Sequence, residues 1–492
     1  MKHSAEIKLN IASSILLQAV SGICGLILPR LLLSSYGSEA NGLSASISQL
    51  LSYTVLLEGG IGGVMRAALY KPLANRDMEG VSSIYHQIKG SFLRISYIYL
   101  VFSFLLAIGI KFLLITQFDW LYVSTLVLIL CSHTYFNYYF ILPQWTLIAA
   151  DQKLFIIQFT QIVTTIINLL VCSMIIHLGG GMHAVKFASA IVILLNPMVL
   201  RTYVKRHYRI HAASDIKKAQ IPQKRDGIIH HLAYFIHYNT DIVIISLFSS
   251  LANVSVYTVY RAVINILERL LISVSSGLSS AYGNLIAREE WDELDRLISR
   301  FEAWNNALAT ATATVCAILI VPFVAVYTKG IYDANYTQPI FAILMIAGSY
   351  VYCVRHPFES VISAGGHYKQ TKAGAVGEVV INLGLSLLLV KPMGLTGVAL
   401  GTFSAMSFRT IYILWYLSKH ILHRRMRTFL LKLLTNVSAA VLLIYVVPAF
   451  IGTAASDIWS LFICALKVSI VVFPISFAIN VLINLRYFLR SR

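Results

Sequence analysis

The chain of 492 residues is 58% hydrophobic and only 12% charged, about half the charged share of an ordinary soluble domain. With a mean hydropathy of +0.74, apolar side chains dominate along the whole length, which excludes a water-soluble globule and makes lipid the natural solvent. The net charge of +18 does not point to nucleic acid, because the basic residues gather between apolar runs, where a membrane protein anchors its cytoplasmic face.

A hydrocarbon core about 30 Å thick takes roughly 20 helical residues to cross. Apolar runs between polar breaks predict an all-α polytopic membrane protein of about fourteen transmembrane helices. They lie near 9–33, 42–68, 84–113, 119–143, 154–178, 183–204, 227–249, 254–287, 300–327, 336–362, 371–391, 395–418, 429–451 and 459–485. The runs 84–113 and 254–287 exceed a bilayer and are expected to tilt or project. The first run is too long for a cleaved signal peptide, and no A-x-A site follows it. Pro143 and Pro357 are expected to kink the fourth and tenth helices.

The expected organisation is a six-helix lobe over 1–204, a basic cytoplasmic linker over 205–226, a second six-helix lobe over 227–420, and two extra helices over 421–492. The stretch 205–225 reads as an anchor on anionic lipid headgroups. Every expected outer loop is short, which leaves no room for an outer catalytic domain. Cys24, Cys131, Cys172, Cys316, Cys353 and Cys464 are scattered through apolar runs without a CxxC pair. They predict neither a disulfide framework nor a zinc site.

Placing the N-terminus inside puts twenty-eight Lys and Arg residues at inner helix ends and four at outer ends: Arg30, Lys111, Lys329 and Lys391. That bias orients both termini to the cytoplasm and demands an even helix count.

Sliding the halves over one another exposes a repeat at a nearly constant offset. Pro143 meets Pro357, Tyr138 meets Tyr352, and Ile167-Asn168-Leu169 meets Ile381-Asn382-Leu383. Gly63 meets Gly277 and Ala67 meets Ala281, while Gly181 and Val185 meet Gly394 and Val398 one position out of step. The offset carries helix 1 onto helix 7. Six helices is an even number, so the two repeats are expected to be parallel, as in carriers that rock two bundles about a central cavity. Helices 13 and 14 lie outside the repeat.

Charges at bilayer depth are expensive and mark functional candidates. They are Glu58, Asp241, Arg261, Glu268, Arg269, Arg355, Glu359, Glu378, Arg409 and Lys467, with Arg30 and Lys186 near outer helix ends. Arg261 and Glu268, two helical turns apart, share a helix face. Asp241 and Arg261 lie in the outer halves of consecutive helices. They fit either a structural ion pair or a site for substrate or coupling ion. Arg30, Arg355 and Arg409 show no obvious partner on a neighbouring helix, although Glu359 lies one turn beyond Arg355. A guanidinium fork matches phosphate oxygens, so Arg30, Arg261, Arg269, Arg355 and Arg409 are candidates for an anionic substrate; for Arg30 snorkelling is the alternative. Tyr138, Asn168, Tyr350, Tyr352 and Asn382 offer polar tips for sugars, or else pack helices. Glu58, Asp241, Glu268 and Glu378 are candidates for coupling a proton or sodium ion. Four glycines follow Glu58 within five positions and permit close packing or a bend.

Ser35-Tyr36-Gly37-Ser38-Glu39-Ala40-Asn41-Gly42-Leu43, after the first helix, resembles the polysaccharide transporter family. So do Leu56-Leu57-Glu58-Gly59-Gly60-Ile61-Gly62-Gly63 and Ala68-Leu69-Tyr70-Lys71-Pro72-Leu73-Ala74. These bacterial flippases are related to the lipid II flippase and the multidrug and toxin extrusion transporters. The motif covers only the start of the chain, through Ala74, and the expected 6+6+2 plan extends the likeness over the rest. The resemblance implies a flippase that moves undecaprenyl-pyrophosphate-linked oligosaccharide repeat units from the inner to the outer leaflet of the bacterial cytoplasmic membrane by alternating access. It would serve surface polysaccharide synthesis, with membrane lipid, a polysaccharide polymerase and chain-length machinery as partners. The arginine cluster of the lipid II relative is echoed here only by Arg30 and Arg66.

The protein's task in that reading is to shield a diphosphate and several sugars from hydrocarbon. No covalent step is required, and no nucleophile–base constellation or P-loop is present in the sequence. The chain is therefore expected not to be an enzyme and to need no cofactor, catalytic group or metal. A cation-coupled multidrug extruder is the alternative. A membrane polymerase or ligase would need a large outer loop, and a non-transporting scaffold would not need charges at membrane depth.

Overall fold

The computed structural model describes residues 2–58, 61–114, 116–211, 227–276, 278–422, 424–453 and 455–484. Among them are seventeen α-helices and no strand. In chain order they are α1 (Lys2–Ser52), α2 (Ile61–Ala74), α3 (Met78–Leu113), α4 (Trp120–Phe136), α5 (Leu142–Ala150), α6 (Leu154–His177), α7 (Met182–Ile193), α8 (Leu195–His207) and α9 (Gly227–Phe248). There follow α10 (Leu251–Ser276), α11 (Ser279–Ala287), α12 (Trp291–Tyr327), α13 (Pro339–Ala364), α14 (Tyr368–Met393), α15 (Leu395–His420), α16 (Met426–Ile451) and α17 (Ile458–Ile483). Eleven described helical stretches are long and apolar enough to cross a membrane, so the protein is a multi-pass membrane protein.

Several expected spans are subdivided. The first two are joined in α1, but the helix is broken at Gly37, whose φ of 79° and ψ of 174° are not helical. A little further on, Gly42 is closely approached, since a Cβ there would sit 1.8 Å from the Leu251 carbonyl oxygen. The two glycines of the sequence motif thus have separate tasks, one breaking a helix and one admitting a neighbour's backbone. The expected span 42–68 is interrupted by a 3₁₀ turn at Tyr53–Glu58, next to the glycine run whose Gly59 and Gly60 lie outside the described residues. The fourth span passes through a π-turn at Asn137–Ile141, just before Pro143. A proline lacks an N–H and crowds the carbonyl four residues earlier, and a π-turn relieves both problems. The sixth span divides at Leu194, shortly before Pro197. The eighth divides between α10 and α11, while the ninth begins earlier than expected, at Trp291. Of the basic linker, the part 212–226 lies outside the described residues.

The chain separates into two compact units. The first holds Met1–His231 with Ser250–Val254, and the second Leu232–Ser249 with Ser255–Arg492. In the first unit, α1 packs on α6, α3 on α4, and α7 on both α4 and α6. Its tyrosines tie helix ends together, as where the Tyr36 hydroxyl donates to Gly180 O. In the second unit, α15 packs between α13 and α14, and α12 contacts α13, α16 and α17. The last two helices carry wide apolar exposure, including Leu442, Tyr445, Phe450, Trp459 and Ile470, a surface that only lipid solvates well.

Left-handed backbone positions punctuate both units at matching places. Arg76 and Glu289, Gln152 and Gly366, and Gly179 and Gly394 all have positive φ, each at a helix junction. Each of these pairs repeats the sequence offset of Pro143 from Pro357 almost unchanged.

Candidate functional site

The second unit concentrates the candidate residues. Asp241, on α9, accepts hydrogen bonds at Oδ2 from Tyr257 Oη of α10 (3.0 Å) and Thr402 Oγ1 of α15 (2.9 Å). Asn382, on α14, donates through Nδ2 to Thr402 Oγ1 at 3.0 Å. One turn further along α14, Ser386 Oγ donates to Val398 O of α15 at 3.4 Å. The Asn382 Oδ1 atom is buried and accepts no hydrogen bond among the described residues. Four helices thereby bring hydroxyl, amide and carboxylate oxygens to one place, a set suited to a monovalent cation or proton. The adjoining cavity is about 10 Å³, room for one water but not for a sugar, and is lined by Asp241, Tyr257, Arg261, Ser349 and Thr402 among others.

Arg261 and Glu268 do share a face of α10. Their side chains pair at 3.1 Å, with a second contact at 3.3 Å, in the two-pronged geometry that orients a guanidinium. Arg269, the next residue, is exposed.

A second cluster corrects the expectation that Arg355 and Arg409 lack partners on neighbouring helices. Arg355 Nη1 lies 3.0 Å from Glu378 Oε1 of α14, and Arg355 Nε lies 3.2 Å from Glu359 Oε1 on its own helix. Arg409, on α15, lies 3.7 Å from both Glu359 and Glu378 and donates to Thr371 O at 2.9 Å. Arg355, Glu378 and Arg409 are buried. Two cations and two carboxylates form a neutral group joining α13, α14 and α15. Sequence reasoning missed it because Arg355 meets Glu378, and Arg409 meets Glu359 and Glu378, from different helices, at separations no helical periodicity reports. Pro357 is accommodated nearby. It leaves the Cys353 carbonyl without its helical donor, and Asn305 Nδ2 of α12 fills that place at 3.0 Å.

The remaining candidates lie apart. Tyr350 is buried with its hydroxyl 3.4 Å from Thr310 Oγ1, and the Tyr352 ring packs beneath the Arg355 guanidinium at 5.2 Å. In the first unit, Tyr138 is buried in the π-turn against Tyr99, and its hydroxyl lies near Glu58. Asn168 accepts from the Cys172 thiol at 3.5 Å. Arg30 lies on the α1 stripe that carries exposed Ile23 and Ile27.

A third polar group was not foreseen. Lys432 of α16 pairs with Glu302 of α12 at 3.0 Å, and Arg424 reaches Asp295 at 2.5 Å and Glu302 at 3.3 Å. Deeper along α12, Thr310 donates to Asn436 Oδ1 at 3.1 Å, and Asn480 Nδ2 of α17 donates to the same oxygen at 2.7 Å. These bonds fasten α16 and α17 to α12. Asn436 and Asn480 were overlooked because they carry no charge and lie outside the repeat that singled out Asn168 and Asn382.

No protein-family model matches the chain, and no curated protein matches it. Solved structures do. The lipid II flippase MurJ, in an inward closed conformation, superposes with a TM-score of 0.70 at 14% identity, covering 96% of this chain and 99% of that one. A multidrug resistance MATE family transporter of the MOP superfamily matches in its inward-facing form (TM-score 0.59, 13% identity, 81% of this chain and 93% of that one). An outward-facing structure of such a transporter matches with a TM-score of 0.56 at 12% identity, over 84% of this chain and 94% of that one. At these identities the likeness is one of fold alone, shared with the lipid II flippase and the MATE family transporters.

Proposed function

We propose that the chain is a flippase for undecaprenyl-pyrophosphate-linked oligosaccharide repeat units, working in the bacterial cytoplasmic membrane with both termini inside. One observation carries the reading. The match to the lipid II flippase covers 96% of this chain. The uncovered remainder is shorter than α16 and α17 together, at 26 residues each, so the added helix pair is largely inside the matched length. The inward-facing MATE family match covers only 81%, and its uncovered remainder is longer than the whole pair. A lipid-linked substrate suits the longer plan, since the pair adds apolar surface beside a carrier.

Fourteen spans are consistent with the helices described: α1 divides at Gly37, and α9 and α10 add two crossings to the eleven. Two parallel repeats are supported by the paired left-handed junctions, because a shared chain path needs the same backbone breaks in both halves. Asp241, with Thr402 and Asn382, is the best-placed candidate for the coupling ion. Its carboxylate is ionisable, buried, and tied directly to α10 and α15, with Asn382 of α14 reaching it through Thr402.

Purified protein in liposomes tests the proposal. A flippase transfers lipid-linked oligosaccharide between leaflets, and its loss in the native cell removes surface polysaccharide. The second reading, multidrug extrusion, is favoured by the MATE family likeness over more than four-fifths of the chain. It expects drug resistance in a sensitive host and no lipid transfer. Resistance without transfer would replace the first reading with the second.

A further inference from the structure

We infer that Lys186 forms an anion-binding subsite within the first unit, taking the diphosphate of a prenyl-linked substrate. This rests on the flippase reading and adds a residue to it. Three observations carry it.

The first is the face of α7. Phe187 and Ile191 are 57% and 53% exposed and Ala184 is exposed, marking the side turned to the surroundings. Lys186 lies on the opposite side, in the row Met182, Lys186, Ser189, Ile193, which is buried or half-buried. Its ammonium therefore does not lead outward along the exposed face, as a snorkelling lysine would.

The second is its surroundings. α7 packs on α4 and α6. Lys186 stands close to Cys172 of α6. Cys172 is fully buried, and its thiol meets the carbonyl oxygen of Val185, the residue before Lys186, at 3.8 Å.

The third is the distribution of countercharge. None of the ion pairs among the described residues includes Lys186. Of the first unit's carboxylates, Asp151 pairs with Lys153 at 2.7 Å and Asp77 caps α3. In the second unit, by contrast, Arg261, Arg355 and Arg409 all face carboxylates within 4 Å. An incoming anion would have to displace those partners, whereas at Lys186 it supplies the missing charge. A half-buried ammonium near the outer end of a membrane helix is better satisfied when an anion completes it. Lysine binds phosphate as a point charge, and a diphosphate presents several acceptor oxygens to it.

The test is ligand-dependent thermal stabilisation of the full-length protein in detergent, with undecaprenyl pyrophosphate, undecaprenyl phosphate and phosphatidylglycerol as probes. Wild type is expected to respond best to the diphosphate, K186M to bind it about tenfold more weakly, and K186R to keep most of the affinity. K186M binding like wild type overturns the assignment while leaving the flippase reading intact. Equal responses to all three lipids show a general phosphate headgroup site and overturn the diphosphate claim. A wild type that ignores undecaprenyl pyrophosphate overturns both readings. Should K186M fail to fold, acetylation of wild-type Lys186 read by mass spectrometry decides: the diphosphate lipid is expected to block it, and unhindered acetylation overturns the assignment.

Discussion

Neutralising Glu378 separates a structural role for the Arg355–Glu359–Glu378–Arg409 cluster from a substrate-binding one. At 3.0 Å and an effective dielectric of about 20, Arg355 and Glu378 attract by about 5.5 kcal/mol, offset by the desolvation of both groups. Removing one member strands the other, which typically costs about 3–5 kcal/mol. Glu378→Gln leaves Arg355 with Glu359 at 3.2 Å, so the lower end, about 3 kcal/mol, is expected. Arg355→Gln is expected to cost a similar amount. The double variant replaces the pair with neutral amides and keeps the cluster balanced, because Glu359 still faces Arg409. Its cost should then fall short of the sum of the single costs by about 2 kcal/mol or more. The assay is unfolding of the purified full chain in mixed micelles, followed by circular dichroism, for the four members of the cycle. Costs that add to within about 0.5 kcal/mol would refute the buried pair. Singles as stable as wild type but defective in substrate binding would return both arginines to the substrate.

Three further outcomes are expected. Asn305→Leu removes the donor that answers the Cys353 carbonyl freed by Pro357 and should cost about 1–3 kcal/mol; the additional change Pro357→Ala should recover part of that, read in the same unfolding assay. Glu302→Gln strands buried Lys432 beside Arg424 and should loosen α16 and α17, seen as faster amide exchange in those helices than in α13–α15; uniform exchange would count against the dock. In the turn between α13 and α14, burial, reinforced by the charge of His420, holds the His367 imidazole below its ordinary value, while its Nδ1 meets the Tyr416 hydroxyl at 2.7 Å. The unfolded chain then binds more protons at this site. This part of the stability is complete above about pH 6.5 and declines as pH falls below it, and His367→Gln should flatten that decline in a pH series of unfolding midpoints.

The sequence by itself determined the solvent and the class of fold. Lipid demands long apolar helices whose backbone groups are satisfied internally, and that demand is written in the apolar runs from α1 to α17. It also located the points of helix trouble. Gly37, Pro143 and Pro357 act within a few residues of themselves, so their effects are local. Even so, the form of the disturbance differed. Pro143 is met by a π-turn in its own helix, Pro357 by the side chain of Asn305 on another helix, α12. Arg261 and Glu268 were legible as partners because their spacing is two helical turns. Only the tertiary structure decided the rest of the charges. Arg355 and Arg409 read as open cations until packing of α13, α14 and α15 brought Glu378 and Glu359 to them. Lys432 has its partner Glu302 because α12 packs against α16. Lys186 stays apart from these pairs because the face of α7 that carries it meets α4 and α6 without a carboxylate among the described ion pairs. Periodicity fixes which residues share a helix face, but the neighbour that a charge meets across an interface is set by packing, and packing decides whether that charge is neutralised in place or left to attract a ligand.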